Sequence, residues 1–166
     1  PILTFRRAAP ILIAGQAPGL KAHDSGIPWN DASGDRLREW LGVERDTFYD
    51  PELFAIVPMG FCYPGKGKSG DLPPRPECAE LWSEKINATL DKIKFKIIIG
   101  SYAQEHHLSA MHANLTETVK NWRQYLPSAI PLPHPSPRNN IWLKKNPWFA
   151  RDLLPALKDQ VRRILK

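Results

Sequence analysis

The chain has 166 residues, 42% of them hydrophobic, with a formal net charge of +6, two cysteines, six tryptophans and seventeen prolines. That length suits a single domain over residues 1–166 with a proper core, and the composition excludes a disulfide framework or a disordered polar chain. The positive charge fits an anionic partner such as nucleic acid, and equally an ordinary basic surface. No apolar run reaches the length of a membrane span and the N-terminus carries no signal-peptide pattern, so a cytoplasmic, monomeric protein in a reducing compartment is expected. The sequence starts at Pro1 rather than at a methionine, which leaves room for residues upstream.

After an arm over residues 1–9, the apolar run Ile11-Leu12-Ile13-Ala14 reads as a buried parallel strand. A long loop from Gly15 to Gly34 follows. It holds three glycines besides Gly15, two prolines and Trp29, and it exceeds the two to six residues that a turn between strand and helix needs. Leu37, Trp40 and Leu41 give a helix from about Ser33, a plausible N-cap, to Leu41, closed by Gly42. Residues 47–53 suggest a further short helical turn. Phe54 to Val57 is a second strand, opening into a Gly-, Pro- and Lys-rich loop over residues 58–75. Helices are expected from Pro76 to Ile93, from Ser101 to Leu108, and from Leu115 to Leu126 with Asn114 or Thr116 as the cap. Lys96 to Ile99 and Ile130 to Leu132 complete the strands, and a helix from Pro147 to Leu165 ends the chain.

Four apolar strands separated by helices predict an α/β fold, a three-layer α/β/α sandwich on a four-stranded parallel sheet. The loops after strands 1, 2 and 4 then emerge at one edge and line a single cleft, which is where open parallel sheets bind ligands.

The third of these loops reads His134-Pro135-Ser136-Pro137-Arg138-Asn139-Asn140, with Pro133 before it. Prolines fix φ and stiffen it, so it either aims His134, Ser136 and Arg138 at the cleft or forms a rigid turn around a structural histidine. Lys66, Lys68 and Arg75 make the second loop basic, as Arg138, Asn139, Lys144 and Lys145 make the third; both suit phosphate contact or a solvated surface. His106, His107 and His112 read as surface residues, because adjacent helical positions face apart.

Gly15-Gln16-Ala17-Pro18-Gly19 after strand 1, with His134-Pro135-Ser136-Pro137 after strand 4, resembles the two signature motifs of the uracil-DNA glycosylase superfamily. The Trp29-to-Gly34 segment and Phe61-Cys62-Tyr63-Pro64-Gly65 fall where that superfamily places its other pocket loops, so the likeness spans nearly the whole chain. It is nearest to the microbial iron-sulfur branches, families 4 and 5.

The resemblance implies a glycosylase that hydrolyses the N-glycosidic bond of a flipped, deaminated base in DNA, in base excision repair, with no cofactor in the chemistry. In it, His134 donates to the departing base, and Gln16 and Ala17 contact the base through their backbone while Pro18 and Gly19 shape the turn. Trp29, otherwise a core residue, stacks on the base beside Asn30. Ser136, Arg138 and Asn139 meet the DNA together with Lys66 and Lys68, and Arg138 stands where relatives insert a wedge into the vacated stack. The chain departs from the pattern twice. Ala17 stands where the best-known members carry the water-orienting acid, and Gln16 where family 4 carries one. That moves the catalytic role to Asp31, which could instead cap the first helix, with Asp24 behind it. Pro58 stands where relatives read uracil with an Asn, so a broader set of bases than uracil is expected.

Cys62 and Cys78 are spaced like the second cysteine pair of the iron-sulfur branches. They are either half of a [4Fe-4S] ligand set, completed upstream, or two free thiols. Two other functions stay open. One is a catalytically silent DNA-binding relative, and the other is an α/β enzyme acting on a free nucleotide or nucleoside.

Overall fold

The computed structural model describes residues 1–166. Four strands, β1 (Ile11–Ala14), β2 (Phe54–Ile56), β3 (Phe95–Ile99) and β4 (Ala129–Leu132), form one sheet in the order β2-β1-β3-β4. Every pairing is parallel, in the register Ile13↔Ile56, Ile13↔Ile97 and Ile98↔Pro131. Pro131 has no N–H to give a ladder, and it is tolerated because β4 is an edge strand.

Strands in such a sheet read as unbroken apolar runs because both faces are covered. Alternate residues feed two layers. Ile11, Ile13, Ile56, Ile97, Ile99 and Ile130 belong to the larger core, filled by Leu37, Trp40 and Leu41 of α2 (Ala32–Leu41) and by Leu157 and Val161 of α8 (Leu154–Leu165). On the opposite face Leu12 and Ala55 meet Ile86 and Leu90, and Ala14 and Ile98 meet Ala103. Those side chains come from α4 (Pro76–Thr89), the turn after it, and α5 (Ser101–His107).

The differences from expectation have local causes. Asp31, not Ser33, starts α2, its Oδ1 accepting the Gly34 N–H at 2.9 Å. Gly42 closes α2 in the left-handed conformation at φ 67°. A short helix, α1 (Leu20–Ser25), sits inside the first long loop, and α3 (Arg45–Phe48) replaces the turn expected at 47–53. The expected helix over 76–93 stops at Thr89. The one over 115–126 is α6 (Leu115–Lys120), capped by Asn114, followed by a tighter turn over Trp122–Tyr125. The last helix begins only at Leu154, preceded by α7 (Asn140–Lys145) and a widened turn over Phe149–Leu153. Pro155 cannot donate to the preceding turn, which suits that widening. Residues 65–72, expected as loop, fold into a small hairpin. Gly67 N–H donates to the Gly70 carbonyl at 2.6 Å, Leu72 N–H to the Gly65 carbonyl at 2.8 Å, and Lys66 bridges Asp71.

His107 is not a surface residue. It lines a small cavity of about 20 Å³ with Leu12, Val57, Ile86 and Leu90. Burial, with lesser help from His106 and Lys96, pushes its pKa down to about 4. The unfolded chain therefore takes up a proton near pH 6.5 that the folded chain refuses until about pH 4. The contribution of His107 to stability should be constant above that upper value and fall as pH drops through the window. Urea titrations of wild type and His107→Gln across it should show the slope flattening in the variant.

Candidate active site

The loops leaving β1, β2 and β4 converge at the carboxyl edge of the sheet. Between them lies one cavity of about 610 Å³, above β1, where the strand order reverses. The first loop is pinned through its carbonyls: Met59 N–H donates to Gly15 and Gly60 N–H to Gln16, at 2.8 and 2.9 Å. The N–H groups of Gln16 and Ala17 have no backbone acceptor, and both residues line the cavity with Pro18 and Gly19. Two adjacent free donors of this kind can bind a carbonyl oxygen or a developing anion.

Trp29 enters from the same loop in a conformation few bulky residues adopt, with φ 57°. Three contacts hold it there. Arg38 donates to the Trp29 carbonyl at 3.3 Å, and the Tyr49 hydroxyl donates to the Pro28 carbonyl at 2.8 Å. Gly34 lets the chain pass, because a Cβ there would stand 1.7 Å from the Trp29 carbonyl oxygen. Arg38 is itself buried, bonded to Tyr49 at 3.2 Å and paired with Asp35 at 2.6 Å, and it lies over the Phe48 and Tyr49 rings. The indole packs against Gly15 and faces His134, ring centroids 5.6 Å apart with a 33° tilt.

His134 Nδ1 accepts the Ser136 N–H at 3.1 Å. That bond needs an unprotonated Nδ1, so the neutral ring carries its proton on Nε2. Burial holds the imidazole below its ordinary pKa, Asp31 and Asp71 pull it back up, and Arg138 lowers it further. The loop is tied by Asn139, which donates to the His134 carbonyl at 2.7 Å, and by Arg36, which reaches the Ser136 carbonyl at 3.3 Å.

A family model, that of the Uracil DNA glycosylase superfamily, matches residues 4–158. The chain belongs to the uracil-DNA glycosylase superfamily. Membership supports a glycosylase-like function on DNA, and no helix of this member is long and apolar enough to cross a membrane.

Most residues singled out from the sequence meet in the one cavity: Gln16 to Gly19, Trp29, Asp31 and Pro58 on one side, and His134, Ser136, Arg138 and Asn139 on the other. Asp31 serves the helix with Oδ1, while its Oδ2 lies 3.6 Å from where a Gly19 Cβ would be. Asn30 is not in the lining; its side-chain oxygen accepts from Arg45 at 2.9 Å. Asp24 lies outside too, as do Lys66 and Lys68, which ride on the hairpin that carries Asp71. Cys62 is exposed and Cys78 half-buried at the first turn of α4, and no three metal-ligating side chains gather anywhere. A [4Fe-4S] cluster needs four thiolates, of which Cys62 and Cys78 could supply two.

Three site residues escaped the sequence reading. Arg38 was detectable as a charge beside Leu37 on the apolar side of α2. Tyr49 had no signal of its own, and Asp71 was hidden in a turn-rich loop.

Arg38→Met should therefore leave the sheet intact and disorder the Trp29 turn. Fluorine NMR of 5-fluorotryptophan protein should show the Trp29 resonance, assigned with Trp29→Phe, broadened or moved, with Trp122 unchanged.

Proposed function

We propose that this member hydrolyses the N-glycosidic bond of a deaminated base flipped out of DNA. The observation that carries the reading is the pairing of Trp29 with an adjacent, neutral His134 in the wall of a cavity that also holds two free backbone donors. A flipped base stacks on the Trp29 ring, and its carbonyls meet donors only: Gln16 and Ala17 N–H, and His134 Nε2–H. As the base leaves, negative charge gathers on those carbonyls, and preformed donors favour that state over the ground state. A neutral histidine suffices, since a hydrogen bond to the anion needs no proton transfer.

The free Oδ2 of Asp31 orients the attacking water. Its oxygen bonds to C1′ of the sugar as the C1′–N pair departs with the base, and one water proton passes to Asp31. Arg138 in the lining, with Lys66 and Lys68 on the adjoining hairpin, supplies sequence-independent contacts to phosphates.

Pro58 lines the cavity and offers no hydrogen-bonding side chain. Base choice then falls to shape and to backbone donors. These accept uracil and, with the room left at Gly19, purine bases that carry a carbonyl in place of an amine. Ala17, at the position of the family's usual acid, favours the second reading, a silent DNA-binding relative.

Labelled single- and double-stranded oligonucleotides containing uracil, hypoxanthine or xanthine, treated with protein and then alkali, should break at one or more of these bases. Asp31→Ala and His134→Ala should each slow single-turnover cleavage by about 10²-fold or more. Cleavage surviving Asp31→Ala would reassign the acid, and no cleavage with tight DNA binding would favour the silent relative. For wild type the rate should stay flat as pH falls through the ordinary histidine range, and decline only below it, because His134 remains neutral there.

A further inference from the structure

A second carboxylate reaches the cavity and has no part in the chemistry given to Asp31, His134 and Trp29. Asp71 sits on the descending arm of the hairpin over residues 65–72 and lines the same cavity. Its two chain neighbours fix its place. A Cβ on Gly70 would stand 3.0 Å from Arg138 Nη1, in the third loop. The carbonyl of Leu72 accepts from Gln16 Nε2 at 3.5 Å, in the first loop. Asp71 therefore spans the gap between the phosphate-facing arginine and the base-binding backbone.

The Tyr63 hydroxyl donates to Asp71 Oδ1 at 3.3 Å, and His23 Nδ1 accepts from the Tyr63 N–H at 3.3 Å, tying the hairpin to α1. No cation pairs with Asp71, although Lys66 is its bridge partner and Arg138 abuts Gly70. Its charge is nonetheless felt at His134, in the same sense as that of Asp31. An exposed, uncompensated carboxylate is an odd neighbour for an anionic polymer. It repels phosphate unless something positive forms beside it.

In a glycosylase something does. When the C1′–N bond breaks, its electron pair leaves with the base and the positive charge is shared by C1′ and O4′ of the sugar. The base lies inside, against Trp29 with an edge toward the neighbouring His134, while the sugar stays joined to the strand on the solvent side, where Asp71 is exposed. Docked DNA would cover that side and exclude water, strengthening any charge pair within it.

Resting on the glycosylase reading, we propose that Asp71 is a catalytic carboxylate that stabilises the cationic sugar, distinct from the water-orienting Asp31. The base anion then meets the donors of the first and third loops and the sugar cation meets the hairpin. Tyr63 is the positioning residue that holds Asp71.

The test uses duplexes carrying an abasic-site analogue, either a neutral tetrahydrofuran or a cationic pyrrolidine of the same shape. Wild type should prefer the cationic ring by about tenfold or more, as expected for a site built around developing charge. Asp71→Asn keeps an acceptor for Tyr63 and hence the hairpin. It should lose most of that preference, bind the neutral duplex as tightly or more tightly, and slow single-turnover cleavage by about tenfold or more. Tyr63→Phe should lose part of the preference. An unchanged preference and rate in Asp71→Asn, beside cleavage by wild type, would overturn the assignment alone. Equal losses for both analogues would make Asp71 a structural residue of the hairpin. Wild type that cleaves nothing would remove the glycosylase reading, and the assignment with it.

Discussion

One buried guanidinium holds the site together. Arg38 gives one nitrogen to the Trp29 carbonyl and to Tyr49 and the other to Asp35, and its plane lies over two aromatic rings. A charge so placed is stable only because both terminal nitrogens have partners, Asp35 among them. What it secures is a tryptophan backbone in the left-handed region, a conformation that costs roughly 1–3 kcal/mol and persists only when its surroundings impose it. The aromatic face opposite His134 thus depends on a residue that touches no ligand. Gly34 is the other half of that constraint, since any side chain there would occupy the space of the Trp29 carbonyl.

The sheet supplies the rest of the rigidity. Parallel strands end at one edge, so three loops distant in sequence meet there without any of them having to be long for its own sake. Each is then tied down separately: the first by β-type bonds from Met59 and Gly60, the third by Asn139 and Arg36, and the second by its own hairpin. The result is a set of donors fixed before any substrate arrives, which is what stabilising a short-lived charge requires. The division of labour follows from this layout. The free backbone donors and His134 sit on the first and third loops, and the two carboxylates of the lining, Asp31 and Asp71, come from the first loop and the hairpin.

Much of this was legible beforehand, for identifiable reasons. The strands were visible because burial on both faces makes them unbroken apolar runs, and Ile11–Ala14 was placed to the residue. The loops were visible as Gly/Pro-rich stretches too long for turns, and the order of their motifs matched a family that the chain belongs to. What escaped was short or cooperative. Six-residue helices such as α1 and α7 show no hydrophobic period. The hairpin around Lys66 and Asp71 is a product of glycine turns with no apolar alternation. The competition between Asp31 and Ser33 for the helix start is settled by geometry that a pattern does not contain. His107 misled because adjacent helical positions facing apart say nothing of which one faces the sheet, and α5 lies close enough against it for His107 to be half-buried.

The claim on which everything else rests is that the cavity receives a base drawn out of a DNA duplex. Stopped-flow fluorescence of 2-aminopurine placed beside a uracil or hypoxanthine tests it without requiring turnover, because removing the neighbouring base from the stack relieves the quenching. Wild type should raise the emission of the lesion-bearing duplex and leave an undamaged one unchanged, and Trp29→Ala should bind the same duplex with little or no rise. Tight binding of the damaged duplex with no change in emission would contradict the account, leaving the cavity without the ligand for which its loops are arranged.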